Sequence, residues 1–274
     1  MAHVTGLFVY PVKSLRGQAV QAAEFDALGF VDDRRFLVVD PTGKFLTQRV
    51  VPRMALVTAA VTSQALVLSA EGAGQVSVPR AANPAAPVLT VSVWKSEGLL
   101  AEDCGESAAI WLSDFLQVKC RLVRIGEKFS RPILKPSAQP GDAVTFADAY
   151  PFLVISEASL AHLNDRILEN HGEPVPMNRF RPNLVIAGCD AFTEDAWTRV
   201  RIGNAVFRNG GPCARCIMTT TDQLTGERTG KEPLRTLATF RRAQDDPTDV
   251  NFGTNLIHET KRGSVQVGAT ITLL

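Results

Sequence analysis

The chain has 274 residues, of which 45% are hydrophobic and 21% are charged, and its formal net charge is +1. This usage is typical of a globular protein that is long enough to bury a sizeable core. A near-neutral charge excludes a general electrostatic attraction to nucleic acid or to an anionic membrane, so we expect neither as a partner.

Short strands are predicted along most of the chain. The runs that support them are apolar and β-branched, and turn signals such as PTGK and EGAG separate some of them. We expect strands within residues 3–12, 34–40, 55–70, 181–188, 198–209 and 264–274.

Three segments have helical spacing instead, namely residues 105–117, 156–172 and 232–240. In the first segment, Ile110, Trp111, Phe115 and Leu116 are expected to lie on one side of a helix. The predicted fold class is therefore mainly β (α+β), with a few helices.

An irregular polar stretch with three prolines, residues 126–142, interrupts this pattern. It is typical either of a linker or of a long loop that crosses a site. Mixed strand and helix sequence ends just before it, so we place a domain boundary near residue 125. The expected domains are residues 1–125 and 126–274.

The five cysteines are few, odd in number and mostly scattered, which argues against a disulfide scaffold and for a reducing compartment. The first residues show no basic region followed by an apolar run, so no secretory signal is predicted. No apolar stretch approaches the roughly 20 residues of a membrane helix. We therefore expect a soluble cytoplasmic protein.

The stretch GGPCARCIMTT places Cys213 and Cys216 two residues apart. Structural zinc would need more ligands at short spacing, and the four histidines are single and distant. A thioredoxin-like dithiol would need a helix after the second cysteine, where IMTTTD is poor in helix formers. Two buried core cysteines remain an alternative, and so does one thiolate bound to a soft, redox-active metal.

The residues around the pair favour the last interpretation. Gly210, Gly211 and Pro212 are expected to let the backbone turn sharply and approach a bulky ligand. Arg215 is expected to place a positive charge beside Cys216, which would favour a thiolate.

The segment PCARCIMTTTDQLTGERTGKEPLRTLATFR resembles the signature of MOSC-domain proteins, the molybdenum cofactor sulfurase C-terminal family. It is especially similar to the branch of the mitochondrial amidoxime-reducing component and its bacterial relatives. YPVKSLRG, EDCGESAAIWLSDFL, DAYPFLVISEASLAHLNDR and NRFRPNLVIAGCDAFTEDAW recur in the family's order. The resemblance implies a β-barrel MOSC domain after an N-terminal β-barrel-like domain.

The resemblance also implies roles for particular residues. Cys216 would ligate molybdenum, and Cys213 would not. Asp148 would lie near the metal, where it would orient the substrate or pass a proton. Arg215 would help it to position the N–OH group of an N-hydroxylated substrate. The alternative is that Asp148 is an ordinary aspartate at a turn. The implied cofactor-binding residues are Lys13, Ser14, Arg34, Arg49, Arg181, Asn183, Ala214, Arg215 and Asn255.

These cofactor-binding assignments differ in their basis. Arg49 is a plausible second cation, and an ordinary surface ion pair is the alternative for each lone Lys or Arg. The Arg181 guanidinium and the Asn183 amide would read the pterin ring edges. Ala214 stands where relatives carry serine, and Asn255 where a relative has tyrosine.

The implied activity is reduction of amidoximes, hydroxylamines and N-hydroxylated bases on a molybdenum cofactor (Mo-molybdopterin). No iron–sulfur spacing is present, so a separate protein, a ferredoxin or b-type cytochrome with its reductase, is expected to supply electrons. A free bacterial form is also expected. The alternatives are a non-catalytic cofactor carrier or insertion module, a sulfur carrier with a persulfide on Cys216, or a β-rich protein without metal.

Overall fold

The computed structural model describes residues 1–274 and contains mostly β-strands, with three α-helices. The predicted mainly β (α+β) class is confirmed. The helices are α1 (Glu106–Leu116), α2 (Glu157–Glu169) and α3 (Leu234–Phe240). The strands are β1 (His3–Val9), β2 (Gln18–Val20), β3 (Ala22–Asp26), β4 (Gly29–Phe30), β5 (Phe36–Val39), β6 (Thr58–Val61), β7 (Ala65–Ala70), β8 (Gly74–Pro79), β9 (Val88–Val93), β10 (Ser96–Asp103), β11 (Arg121–Ile125), β12 (Phe152–Ser156), β13 (Leu184–Ala187), β14 (Arg199–Ile202), β15 (Ala205–Arg215), β16 (Val250–His258), β17 (Gly263–Gln266) and β18 (Ile271–Leu273).

All three helices form where the apolar spacing predicts them. Helix α2 begins after Ser156, whose hydroxyl oxygen accepts a 2.9 Å hydrogen bond from the Ser159 amide and so caps a free N–H group. Helix α1 buries Leu112 and Phe115, whereas Ile110 is 59% exposed. The expectation that Ile110 belongs to the buried side is wrong, because the buried stripe follows the i, i+3 and i+4 neighbours of Leu112 instead.

The largest sheet has eight strands in the order β18-β14-β15-β16-β12-β13-β1-β2. It joins the start of the chain to its second half, since β1 pairs antiparallel with β13 and Leu7 lies opposite Leu184. One face of the sheet packs a core that includes Phe152 and Phe207. The domain boundary near residue 125 stays a prediction, and the first two strands nevertheless belong to the same sheet as strands that follow residue 150.

Three smaller sheets complete the fold, in the orders β5-β11-β10-β9, β17-β3-β4 and β6-β7-β8. Helix α1 packs near β8 and β11, and its Leu112 joins Leu15 and Met54 in a second core. The candidate site lies between this unit and the large sheet, because its side chains come from both.

The proline-containing stretch forms part of a long loop between β11 and β12. It contains no helix or strand beyond an isolated bridge between Pro132 and Ala143. The loop is anchored by the buried guanidinium of Arg131, which donates to the carbonyl oxygens of Thr145 at 2.6 Å and Asp148 at 2.9 Å. This anchoring fixes the position of Asp148.

The glycine-rich stretch before the cysteine pair is part of β15, which differs from the sharp turn expected there. Strand β15 continues to Arg215 and stays paired with β16, and its register shifts between Asn209 and Gly211 and again between Pro212 and Ala214. Proline has no N–H group for the ladder, so a bulge accommodates it while the strand goes on. The glycine at 211 has φ of 112°, which an L side chain rarely adopts.

Candidate active site

Cys216 lies at the end of β15, where the chain leaves the strand and enters a short 3-10 helix, Ile217–Thr220. Its carbonyl oxygen accepts hydrogen bonds from the amide and the hydroxyl group of Thr219, at 3.0 and 2.9 Å. Its half-buried Sγ accepts a 3.1 Å hydrogen bond from Nε of Arg49. The backbone at Cys216 is therefore fixed by hydrogen bonds, and the positively charged guanidinium of Arg49 contacts its sulfur.

Arg215 contacts Cys213 and not Cys216. Successive side chains of a strand point to opposite faces, so Arg215 lies on the same side as Cys213 and away from Cys216. Its Nη1 donates to Sγ of Cys213 at 2.9 Å, and its Nη2 donates to the Phe180 carbonyl at 2.7 Å. The expectation that Arg215 is the immediate positive neighbour of Cys216 is corrected here: the residue in that place is Arg49.

The two cysteines are unequal. Burial raises the pKa of the Cys213 thiol, and the Arg215 guanidinium offsets this only in part. Cys213 also packs against the core beneath α2 and α3. These features are typical of a protonated, structural thiol rather than a metal ligand or half of a dithiol.

An opening beside Cys216, which we call the inner cleft, has about 670 Å³ of empty space. Its wall is strongly basic, with five arginines and one carboxylate. These residues are Arg34, Arg49, Arg179, Arg181, Arg215 and Asp148. Since the whole chain carries a charge of only +1, positive charge is concentrated here.

Tyr10 organises two of these arginines. The guanidinium carbons of Arg34 and Arg181 lie 4.3 and 4.2 Å from the centre of its ring. The Tyr10 hydroxyl group donates to the Pro182 carbonyl at 2.9 Å, and burial raises its pKa to about 12, so the ring stays neutral. Cation–π contacts of this kind fix the two charges in a cleft wall that water reaches poorly.

Backbone strain is concentrated around the same wall. Ser14, Arg34, Trp94 and Arg181 all have positive φ, at 66°, 48°, 54° and 56°. Left-handed backbone at non-glycine residues costs free energy and persists only where the surroundings enforce it, often at functional sites. Four of the seven non-glycine residues with positive φ lie around the inner cleft, which is typical of a functional site.

Asn183 has an internal role. Its Nδ2 donates to the Phe8 carbonyl at 3.2 Å and to Asp33 at 3.1 Å, while its Oδ1 accepts from Arg34 at 3.1 Å. The buried Asp33 also accepts from Nη1 of Arg34 at 2.6 Å. The amide predicted to read a ligand's edge is thus engaged within the protein, where it orients Arg34.

Asp148 sits at the mouth of the inner cleft with its side chain 61% exposed. It forms an ion pair with Lys13 and accepts a 2.9 Å hydrogen bond from Nε1 of Trp94. Desolvation opposes ionisation, but Lys13, Trp94 and Arg49 outweigh it and hold the pKa of Asp148 well below its usual range. Asp148 is therefore a carboxylate near neutral pH, which argues against the predicted proton-donating role and leaves it as an acceptor.

Lys13 is buried, and its ammonium contacts Asp148 rather than the open cleft. Burial lowers the pKa of Lys13 to about 8, although Asp148 acts in the opposite direction. Ser14 is also buried, and its carbonyl accepts a 2.8 Å hydrogen bond from Gln48. Neither residue lines the inner cleft, so a direct contact with the cofactor stays a prediction for both.

The remaining predicted residues do line the cleft. Ala214 is an exposed residue of its wall, and Asn255 donates from Nδ2 to the carbonyl oxygens of Gly211 and Pro212, at 3.2 and 3.1 Å. Asn255 therefore fixes the bulged part of β15. The cofactor contacts assigned to Ala214 and Asn255 stay predictions.

Sequence reasoning missed four residues that shape the site: Trp94, Tyr10, Arg131 and Arg179. Trp94 occupies a tight turn between β9 and β10, and such a turn carries no motif. For Tyr10, the aromatic residue directly before the PVKS motif was an available signal. Arg179 stands directly before the FRPN motif, and that position was a signal too.

The buried wall has unused hydrogen-bond donors. Nη2 of Arg181, Nε of Arg215 and Nε of Arg179 are buried and have no partner within the protein. Unpaired buried N–H groups are costly, so they indicate an acceptor that binds there.

No group of three His, Cys, Asp or Glu side chains is arranged to hold a metal ion, which argues against the zinc alternative. None of the helices is long and apolar enough to cross a membrane.

Two family matches cover most of the chain. Residues 1–119 match the MOSC N-terminal beta barrel domain, and residues 141–272 match the MOSC domain. Among solved structures, the YUAD protein from Bacillus subtilis has a TM-score of 0.44 at 13% identity, over 98% of this chain and 93% of that chain.

Curated relatives match over nearly the whole chain. Mitochondrial amidoxime-reducing component 1 of Mus musculus is 37% identical, over 99% of this chain and 82% of that protein. Its Homo sapiens counterpart is 36% identical over the same shares. Mitochondrial amidoxime reducing component 2 of Bos taurus is 36% identical, over 97% of this chain and 81% of that protein.

These relatives correct one prediction and leave another without support. The cytoplasmic location is contradicted, since the relatives are named as mitochondrial components. Cysteine usage and hydropathy report redox conditions and solubility, which do not separate one reducing compartment from another. The curated relatives matched here include mammalian, frog and zebrafish proteins, so the expected bacterial form finds no support among them. By both domain matches and by this identity along its length, the chain belongs to the MOSC-domain family of amidoxime-reducing components.

Proposed function

We propose that the chain is a molybdenum cofactor-dependent reductase that converts N-hydroxylated compounds to amines with electrons from a separate redox protein. The observation that carries the proposal is the environment of Cys216, a single thiol paired with Arg49 at the edge of a basic cleft. Relatives that share 36–37% identity are named for amidoxime reduction, which supports the same activity here.

The inner cleft fits a molybdopterin in two respects. Both Cys213 and Cys216 line it, but the Cys213 sulfur accepts a hydrogen bond from Arg215, and there is no complete set of protein ligands. Such a site suits a metal that arrives with sulfur donors of its own and takes one more from Cys216. Its wall also carries the unused N–H groups of Arg181 and Arg215, which suit the acceptors of an anionic ligand.

When bound, the cofactor supplies two-electron chemistry, and the overall reaction takes up two electrons and two protons, breaks the N–O bond and releases the amine and water. Cys216 binds the metal, and Arg49 holds that sulfur in place. Arg181, whose buried Nη2 has no partner within the protein, would help to hold the cofactor. The ionised Asp148 accepts a hydrogen bond from the substrate N–OH group, while Lys13 balances its charge.

The substrate class is N-hydroxylated compounds such as amidoximes, hydroxylamines and N-hydroxylated bases. The electrons come from a separate electron-transfer protein, for which a ferredoxin or a b-type cytochrome with its reductase is the proposed donor. An artificial donor replaces that protein in the test that follows.

The test compares wild type with Cys216→Ala and with the matched variant Cys213→Ala, all produced in a host that makes the cofactor. Molybdenum and pterin are quantified per protein, and benzamidoxime reduction is followed with dithionite-reduced viologen. We expect wild type and Cys213→Ala to contain molybdenum and to form benzamidine. Cys216→Ala is expected to lose nearly all activity.

Each other outcome points elsewhere. Full activity in Cys216→Ala would refute the assignment of the metal ligand. Wild type that binds molybdopterin but reduces no N-hydroxylated compound would be a cofactor carrier. A persulfide on Cys216 without molybdenum would indicate a sulfur carrier.

A further inference from the structure

A second depression, which we call the outer groove, opens beside the inner cleft between Trp94 and residues 132–135 of the long loop. It has about 1360 Å³ of empty space. The two openings share Arg49, Asp148, Ala149 and Ala214 in their walls. A molecule in the outer groove therefore reaches the neighbourhood of Cys216 past the Arg49 guanidinium.

The outer groove is strongly basic. It contains three lysines, two arginines and one carboxylate, Asp148, which is already paired with Lys13. The lysines, Lys44, Lys95 and Lys135, are exposed, and none makes a salt bridge within the protein. Unpaired cations around a concave surface attract an anion.

The same groove has a flat apolar surface. Trp94 is 41% exposed and packs against Phe45, with ring centres 4.7 Å apart. The Arg49 guanidinium lies 4.1 Å from the centre of the Trp94 ring. Leu134 of the long loop, which also lines the groove, is 62% exposed. The positive φ of Trp94 shows that the fold holds this bulky side chain in a strained backbone. Exposed aromatic surface held in this way suits a planar ring.

We propose that the outer groove binds the non-reacting part of the substrate and selects N-hydroxylated compounds whose planar aromatic ring carries a carboxylate or a phosphate. The ring packs on Trp94 and Leu134, and the anion lies among Lys44, Lys95 and Lys135. This arrangement leaves the N–OH group directed at Arg49 and the inner cleft. The inference rests on the proposed reductase function and adds a charge preference to it.

The first test compares matched substrates with the holoenzyme and the artificial electron donor. One pair is benzamidoxime and 4-carboxybenzamidoxime, and the other is an N-hydroxylated cytidine and its 5′-monophosphate. We expect kcat/KM to be roughly tenfold higher for the anionic member of at least one pair, at about two- to threefold per exposed lysine. Raising the ionic strength from about 0.02 M to about 0.3 M should reduce that preference.

The second test uses substitutions. Lys95→Gln and Lys135→Gln should each reduce the anionic-to-neutral ratio of kcat/KM about two- to threefold, and the double variant should bring it to about two, the part that Lys44 supplies. Lys119→Gln is the matched control, because Lys119 is an exposed lysine outside the groove. It should keep the wild-type ratio.

A binding measurement separates affinity from turnover. Without electron donor, 4-carboxybenzamidoxime should change the tryptophan fluorescence of the holoenzyme at lower concentration than benzamidoxime does. Trp94→Phe should remove most of the signal, since the other two tryptophans lie outside the groove.

The two ideas fail separately. If neither member of any pair is reduced, the proposed function fails. If neutral substrates are reduced but both pairs show ratios near one, or if Lys119→Gln changes the ratio as much as Lys95→Gln does, the groove proposal is overturned and the reductase function stands. Which pair shows the preference identifies carboxylate or phosphate as the anion selected.

Discussion

Nε of Arg49 donates a 3.1 Å hydrogen bond to Sγ of Cys216, and the same guanidinium lies 4.1 Å from the ring of Trp94. The three residues come from the loop after β5, the end of β15 and the turn after β9. Trp94 in turn donates to Asp148 at 2.9 Å. The sulfur, the cation, the indole and the carboxylate thus form one connected group at the junction of the inner cleft and the outer groove.

Arg49→Met should lower kcat/KM for benzamidoxime at least tenfold per bound molybdenum. The substitution removes a hydrogen bond from a charged donor, which contributes roughly 1.5 to 3 kcal/mol, and it frees the sulfur from its neighbour. Arg49→Lys should recover part of the loss, since it restores charge without the planar guanidinium. Steady-state kinetics and molybdenum analysis on the same samples provide the measurement.

Arg53→Met is the control for Arg49→Met. Arg53 is also an arginine over an aromatic ring, 4.4 Å from the centre of Phe115, but it lies outside both openings. It should keep wild-type kinetics. Unchanged kcat/KM in Arg49→Met would contradict a role for Arg49 at the sulfur.

Gly17→Ala should disturb cofactor binding from a distance. A Cβ atom at Gly17 would overlap ring atoms of Tyr10, the ring that carries Arg34 and Arg181. Since overpacking of a buried site costs roughly 1 to 3 kcal/mol, the midpoint of urea unfolding should fall. Molybdenum per folded protein should fall as well, because the displaced ring moves both arginines.

Gly230→Ala is the control for Gly17→Ala. A Cβ atom at Gly230 meets nothing within 4 Å, so the midpoint and the molybdenum content should stay near wild type. Wild-type molybdenum content in Gly17→Ala would show that the position of Tyr10 does not control the two arginines.

His258 should make the protein less stable in mild acid. It is fully buried between Phe25 and Phe152, and its Nε2 lies 2.7 Å from the Asp26 carbonyl. Burial, with a smaller effect of Lys261, lowers the pKa of His258 from 6.5 to about 4. Between these values the unfolded chain binds a proton that the folded chain does not, so stability falls as pH drops from 6.5 to 4.

The expected loss from His258 over this range is at most about 3 kcal/mol. Urea unfolding at about pH 7 and about pH 4.5 measures it. In His258→Gln, where an amide N–H can still donate to Asp26, the pH dependence of stability should be smaller by that amount. His171→Gln controls for loss of a histidine at the surface. An identical pH dependence in wild type and His258→Gln would refute the assignment.

Much of the fold could be predicted because apolar periodicity reports which segments pack locally. The segment 156–172 forms helix α2 as its spacing predicts, and the helix buries Leu163 and Ile167. Ile110 was placed wrongly, since hydrophobicity alone does not say which side of a short helix meets the core. The bulged continuation of β15 was missed as well, because pairing with β16 overrides the turn preference of Gly210 and Gly211.

The candidate site was predictable only where a motif marked it. Arg34, Arg181 and Cys216 do meet in one cleft. Trp94 and Arg49 were missed or undervalued, since their approach to Cys216 depends on contacts between parts of the chain that are far apart in sequence. Arg215 was paired with the wrong cysteine because adjacency in sequence means opposite sides in a strand.

The eight-stranded sheet contains strands from both halves of the chain, and this determines when the site can form during synthesis. Strand β1 hydrogen-bonds to β13, and the thiol that pairs with Arg49 follows β15. A nascent chain that ends at residue 125 has Arg34 and Arg49 but neither Arg181 nor Cys216, so it has no cleft to fill. On the proposed function, the cofactor is therefore acquired only after residues beyond 216 have left the ribosome, and its insertion is a late step of biogenesis.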